Sequence, residues 1–218
     1  MRSSDPSNHA PTTRTPRTAA HSIVLEGMPG AGKTTALQAL GRRGHHTIGE
    51  YVTVDGTPLD HAAHPDHEPD APHLVNWTLK ATLYREPTFG GPVFIDRDWI
   101  TALAWGHCFG RLPERIRWAD TRLRNRTLQL PSRYVVFDLP PHESLHRRGN
   151  AVVPSHPWAD PEVLARLREF YRDPVGTVTA HDRHLGADLA RLPITHIDAT
   201  RTPDQVHAEL AAAVGVPL

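Results

Sequence analysis

Gly27, Gly30, Gly32, Lys33 and Thr34 stand at the spacing G-x-x-x-x-G-K-T, directly after the apolar run Ile23-Val24-Leu25. Glycines at these positions let successive backbone N–H groups turn inward around an anionic phosphate chain, an approach that side chains would block. Lys33 then reaches the β and γ phosphates, and the Thr34 hydroxyl is placed to hold Mg²⁺. Pro29, Ala31 and Thr35 complete the loop, and the helix that starts at Lys33 points its positive end at the same anions. Only two of the 24 basic residues are lysines, Lys33 and Lys80, so a lysine at this one position is not compositional background.

A second constellation is Val93-Phe94-Ile95-Asp96-Arg97. A carboxylate directly after a buried strand can reach the metal shell held by the phosphate loop, which assigns Asp96 with Thr34 to the metal. Arg97 offers a planar fork for phosphate oxygens or for an oriented hydroxyl; a surface ion pair at a strand end is the plainer alternative. Glu50 follows the second apolar run and is a base for an attacking hydroxyl if held within hydrogen-bond reach; otherwise it is a solvated strand-end carboxylate. Trp77, Lys80 and Tyr84 share one face of a helix, with Arg85 just beyond, and Trp99 and Trp105 follow the Asp-Arg pair. Taken singly, each aromatic reads more readily as core than as a ligand wall. His61, His64, His67 and His73 cluster with Asp66, Glu68 and Asp70, but a segment rich in Pro, Ala and Asp lacks the support a metal site needs, so these histidines read as surface residues.

To position these groups the chain needs a layered α/β frame. Five short apolar runs read as buried parallel strands: Ser22–Leu25, His46–Ile48, Val93–Ile95, Tyr134–Phe137 and Ile194–Ile197. Helices are expected at Lys33–Leu40, Leu74–Tyr84, Trp99–Phe109, Glu114–Leu128, Glu143–Arg148, Pro161–Arg172 and Pro203–Val214. Asp160-Pro161 and Thr202-Pro203 each set a capping residue before a first-turn proline. Gly56–His73, Asn150–Trp158 and Thr177–Leu192 break the pattern, the last with a short helix expected around Leu185–Leu192; long loops of this kind are often binding lids.

The 218 residues fit one domain with a proper core. Residues 1–20, rich in Ser, Thr, Pro and Arg, read as a disordered tail without the apolar centre of a signal peptide, leaving 21–218 as the domain. The 24 acidic and 24 basic residues balance, so no global field draws nucleic acid or a membrane surface. No apolar run approaches a membrane span. The single cysteine, Cys108, excludes an internal disulfide framework and suits a reducing cytoplasm.

The order of phosphate loop, strand, helix, strand ending in Asp-Arg, then strand followed by proline and a basic segment resembles the thymidylate kinase and deoxynucleoside kinase family of P-loop phosphotransferases. The stretches that carry the resemblance are Gly27–Thr35, Val93–Arg97, Tyr134–Asn150 and His196–Thr200, within a similar layout from about residue 21 to the C-terminus. It implies a three-layer α/β/α domain around a five-stranded parallel sheet ordered 2-3-1-4-5. It also implies phosphoryl transfer from ATP or another NTP, with Mg²⁺, to a small-molecule acceptor. In such kinases the Asp-Arg pair touches the metal shell and the acceptor's reactive end, which here means Asp96 and Arg97. A lid, about residues 147–158, supplies arginines to the transferred phosphate; Arg147 and Arg148 hold that place, although a basic helix C-terminus alone would also favour them. Trp77, Lys80, Tyr84 and Arg85 fall on the helix that lines the acceptor pocket. Asp198, Ala199 and Thr200 match the turn that contacts the donor's base, unless Asp198 only orders that turn.

One departure bears on the acceptor. Thymidylate kinases place an arginine just after the second strand to grip the acceptor phosphate, whereas this chain has Ile48-Gly49-Glu50-Tyr51-Val52. A carboxylate there resembles nucleoside kinases and favours a hydroxyl acceptor over a monophosphate. A thymidylate-type kinase, an antibiotic or natural-product kinase, and a nucleotide-binding switch without a small acceptor are the alternatives. The switch lacks the Asn-Lys-x-Asp base-reading motif. A homodimer is compatible with the resemblance.

Overall fold

A computed structural model describes residues 21–52, 70–84, 90–152 and 154–218. Its centre is a five-stranded, all-parallel sheet in the order β2-β3-β1-β4-β5, with β1 Ser22–Gly27, β2 His46–Ile48, β3 Val93–Asp96, β4 Arg133–Asp138 and β5 Ile194–Asp198. Every residue of β1 and β3 is buried, as expected of strands covered on both faces by helices. β1 runs between β3 and β4 in the register Leu25↔Asp96 and Gly27↔Phe137, so the glycine opening the phosphate loop and Asp96 leave the sheet at the same end. The architecture is the three-layer α/β/α arrangement expected from the chain order.

Helices α1 Lys33–Arg42, α2 Asp70–Leu83, α3 Ile100–Cys108, α4 Leu112–Arg124, α5 Pro141–Arg148, α6 Pro161–Arg172 and α9 Pro203–Val214 correspond to the expected set. The two capping signals act as read. Asp160 accepts from the Glu162 amide, and Thr202 forms a reciprocal capping box with Gln205. Two short helices, α7 Pro174–Thr179 and α8 Arg183–Leu189, lie between α6 and β5; α8 corresponds to the short helix expected around Leu185–Leu192, and α7 is an addition. Asp173 starts α7 by accepting from the Gly176 amide at 2.8 Å, and Asp182 starts α8 by accepting from the amides of His184 and Leu185. Among the described residues no helix is long and apolar enough to cross a membrane, and no group of three or more metal-ligating side chains occurs. Residues 1–20, the loop histidines His61, His64 and His67, and Arg85 lie outside the described residues.

The ends of β2 and β3 are joined by one side chain. Lys80, fully buried on α2, donates to the carbonyls of Glu50 at 3.1 Å, Asp96 at 2.6 Å and Arg97 at 2.7 Å. An ammonium has three donors, and all three have acceptors here. Lys80→Met keeps the stem but takes a donor from three carbonyls, of which that of Glu50 keeps the Asn76 side-chain amide at 3.0 Å. It is expected to lower stability by about 3–5 kcal/mol in urea melts at neutral pH. A loss below 1 kcal/mol would mean that the clamp is dispensable.

Candidate active site

The phosphate loop is folded as its glycines require. Gly27 and Gly32 lie at φ 122° and 90°, and a Cβ at Gly27 would sit 2.3 Å from the carbonyl oxygen of Phe137. Lys33 is buried and curls back over the loop, donating to the carbonyls of Met28 at 2.9 Å and Gly27 at 3.4 Å. Burial, reinforced by repulsion from Arg97, pulls its ammonium down to about 8. Gly32 caps α1 without a side-chain bond and no acid stands in its first turn, which leaves that turn's amides to an anion. Ser144 on α5 steadies the loop by donating to the Pro29 carbonyl at 2.7 Å.

Thr34 and Asp96 meet beside this loop. Thr34 Oγ1 donates to Asp96 Oδ2 at 2.8 Å, while Asp96 Oδ1 is buried without a hydrogen-bond partner. A buried, unpaired carboxylate oxygen next to a hydroxyl at a phosphate loop is a hard-oxygen donor set of the kind Mg²⁺ takes.

Arg97 is held from several sides. Its backbone lies at φ 61°, a conformation costly for a side-chain-bearing residue, and its amide donates to the Leu25 carbonyl at 3.0 Å. Its guanidinium pairs with Glu50 at 3.0 Å and Glu26 at 3.4 Å, and donates to the Tyr171 hydroxyl at 3.2 Å. Burial opposes its charge, yet the carboxylates, Glu50 foremost, more than offset this and raise its pKa. Glu26 is itself buried in β1. It accepts from the Asp98 amide at 3.0 Å, from Thr101 at 2.9 Å and from the Tyr171 hydroxyl at 2.8 Å. Burial raises its pKa in spite of these partners.

From Glu50 and Arg97 a cleft of about 780 Å³ opens between α2, α3 and α6. Its aromatic walls are Tyr51 and Trp77 on one side and Trp105 and Trp158 on another, the last two edge-to-face at 5.0 Å. Arg115 of α4 and the histidines His73 and His156 add polar groups. Trp77 and Trp105 therefore line the cleft. Three other residues do not. Lys80 points at backbone carbonyls, Tyr84 is core with a buried hydroxyl that lacks a partner, and Trp99 is fully buried and donates to the Gln129 carbonyl. Helical spacing put Lys80 and Tyr84 on the face of Trp77, but the length of α2 lets that face run from cleft into core.

The two lid arginines differ. Arg147 pairs with Glu143 of its own helix at 2.9 Å. Arg148 lies across the phosphate loop, its Cγ 3.1 Å from where a Gly30 Cβ would be, and donates to the carbonyls of Ser144 and Trp158. The segment beyond contains 3-10 turns at Gly149–Ala151 and Pro157–Ala159. After β5, the Asp198 carboxylate is taken up by its own turn, accepting from the Thr200 amide at 3.0 Å and hydroxyl at 2.6 Å, while the Ala199 amide donates to Asp138.

A family profile described as "AAA domain" matches residues 22–142, more than half of the chain. The chain belongs to this AAA-domain family. No curated protein sequence matches it. Among solved structures it is similar to deoxyadenosine kinase from M. mycoides with the products dCMP and a flexible dCDP bound. That match has a TM-score of 0.60 and 13% identity over 89% of this chain and 98% of that one. The same enzyme with bound dATP matches at a TM-score of 0.60 and 10% identity, over 89% of this chain and 99% of that one. Identities this low carry the fold, which is that of P-loop nucleoside and nucleotide kinases.

In this AAA-domain protein several site residues escape sequence reasoning. Glu26 is an acid inside an apolar strand, one residue before the first loop glycine, and that anomaly was its only signal. Trp158 and Arg115 lie in a segment that breaks the pattern and on an expected helix to which no chemistry was assigned. The Lys33 ammonium leads to a test. Phosphates bind its charged form, so in the free protein that form is lost as pH rises past about 8. The Kd of nucleotide is expected to rise about tenfold between pH 7 and pH 9. Lys33→Met should bind weakly and with a flat profile; a parallel slope in the variant would move the effect to another group.

Proposed function

We propose that the protein is a P-loop small-molecule kinase that transfers the γ-phosphoryl group of ATP, or another NTP, to a hydroxyl of a nucleoside-like acceptor. The observation that carries this reading is the adjacency of two carboxylate pairs. Asp96 binds Thr34 beside the phosphate loop, while its neighbour Arg97 binds Glu50 where the aromatic cleft begins. One strand end thus faces both the donor phosphates and the acceptor.

In the proposed reaction the loop amides and Lys33 hold the β and γ phosphates, and the turn Asp198–Thr200, whose Ala199 and Thr200 amides donate within the protein, offers its carbonyls to the donor's base. Mg²⁺ held by Thr34 and Asp96 would supply charge neutralisation at the phosphates. Glu50, partly exposed at the mouth of the cleft, accepts the proton of the attacking hydroxyl. The hydroxyl oxygen forms a bond to the γ-phosphorus, the bond to the β–γ bridging oxygen breaks, and the nucleoside diphosphate leaves. Arg97 orients that hydroxyl and Glu50 together. Arg148, already over Gly30, is the lid arginine placed to meet the equatorial oxygens. A monophosphate acceptor is disfavoured because Glu50 would repel it where a thymidylate-type kinase has an arginine. A natural-product acceptor bearing a hydroxyl would use the same residues.

Coupled-assay turnover with a panel of nucleosides and hydroxylated compounds tests the reading. Lys33→Ala is expected to abolish it, and Glu50→Gln to lower kcat by about 10²–10⁴-fold with the KM for ATP unchanged. Arg148→Ala should cost about 10²–10³-fold and Arg147→Ala less than about threefold. Nucleotide hydrolysis that ignores every acceptor, or full activity in Lys33→Ala, would contradict it.

A further inference from the structure

The cleft and the phosphate loop are joined through one residue. Trp158 puts its half-buried ring into the cleft, edge-to-face with Trp105 at 5.0 Å. Its amide donates to His156 Nδ1 at 3.1 Å, and its carbonyl accepts from Arg148 Nη2. These attachments leave little play, because the turn Pro157–Ala159 is short, opens on a proline and runs straight into the Asp160 cap of α6. Arg148 is the other half of the pair. Its Cγ lies 3.1 Å from where a Gly30 Cβ would be, and its Nε donates to the Ser144 carbonyl at 3.3 Å. Among the described residues the carbonyls of Ser144 and Trp158 are its hydrogen-bond partners, and no carboxylate pairs with it. Burial therefore acts on its charge unopposed and lowers its pKa.

A guanidinium has five N–H donors, so two carbonyls aim it and still leave donors for an anion over the loop. A neutral carbonyl also leaves the charge uncancelled, whereas a carboxylate would hold the group and neutralise it. Arg147, tied to Glu143, is the second case. We propose that Trp158 is a positioning residue for the transfer: its ring takes one face of a flat acceptor, and its carbonyl holds Arg148 at the γ-phosphate. This deepens the kinase reading and rests on it. An acceptor packed on the ring favours the arrangement in which Trp158 leans on Trp105, and with it the place of Arg148. A ring that only walled the cleft would bind the acceptor equally in the ground state and the transition state, and its loss would raise KM alone. A ring that also sets Arg148 contributes to kcat, and does so only while the arginine is there.

Deoxyadenosine and deoxycytidine, a purine and a pyrimidine nucleoside, serve as acceptor probes with ATP and Mg²⁺. With the faster of the two, kcat and KM are measured in the full chain, in Trp158→Leu, in Arg148→Ala and in the double variant. Trp158→Leu is expected to lower kcat about 10- to 100-fold and to raise the nucleoside KM about three- to tenfold. In the Arg148→Ala background the same change should lower kcat less than about threefold, while the rise in KM persists. Trp105→Leu removes the ring that Trp158 leans on. It should show the same dependence on Arg148, and it decides the matter if Trp158→Leu fails to fold. A higher KM with unchanged kcat in Trp158→Leu makes the ring a wall only and overturns the proposal. So does an equal fall in kcat with and without Arg148. Either pattern leaves the kinase reading standing, because transfer is still seen. Transfer to neither nucleoside by the unsubstituted protein overturns that reading, and the role of Trp158 with it.

Discussion

One ammonium group sets the geometry on which the rest of the site depends. Lys80 Nζ gathers the carbonyls of Glu50, Asp96 and Arg97 at one point, pulling the end of the edge strand β2 against the end of β3. With the three backbones fixed, their side chains diverge: Asp96 toward Thr34 and the phosphate loop, Arg97 toward Glu26 and Glu50. A guanidinium is a flat fork and does not converge three carbonyls on one atom. The chemistry explains why a chain that otherwise uses arginine for its cations has lysine here. The same holds for Lys33, whose Nζ takes two converging loop carbonyls. Burial draws Lys80, like Lys33, down to about 8. Both cations are thus held where desolvation makes them strained and opposite charges stabilise them.

That electrostatic density extends through the site. Glu26, Asp96, Arg97 and Asp98 are all buried at the ends of β1 and β3. Asp98 is pushed up to about 8 by burial and then by Glu26, although the Ile100 amide and the Tyr134 hydroxyl donate to it. Glu26 links β1 to α3 and α6 through Thr101 and Tyr171, so the helix that walls the cleft and the strand that opens the phosphate loop share one carboxylate. Fixed charges in a dry, hydrogen-bonded frame would need little reorganisation as charge moves in the proposed phosphoryl transfer. The left-handed backbone of Arg97 fits this picture: a strained residue is retained where partners on every side over-determine it.

Much of the fold was legible because its signals are local. The buried strands are short apolar runs, and α6 and α9 begin and end as expected because Asp160-Pro161 and Thr202-Pro203 mark where a helix starts. Asp173-Pro174 carries the same mark, but α7 is too short for hydrophobic periodicity to show. The phosphate loop and Asp96-Arg97 were readable because their chemistry is tied to spacing. Lys80 was not: helical spacing places it beside Trp77, yet only the tertiary packing decides whether its ammonium meets ligand or backbone. Glu26 and Arg115 were hidden for the opposite reason. An acid in an apolar strand is an anomaly with no role attached, and an arginine on a helix looks ordinary, until the fold buries one among partners and opens a cleft beside the other.

The central claim, a hydroxyl acceptor at Glu50 and Arg97, is tested most directly by the ³¹P spectrum of the products formed from ATP, Mg²⁺ and an unphosphorylated nucleoside. A phosphate monoester signal, coupled to the sugar protons and growing in step with ADP, is the expected result. Inorganic phosphate alone, or a new diphosphate linkage on an added monophosphate, would contradict the account.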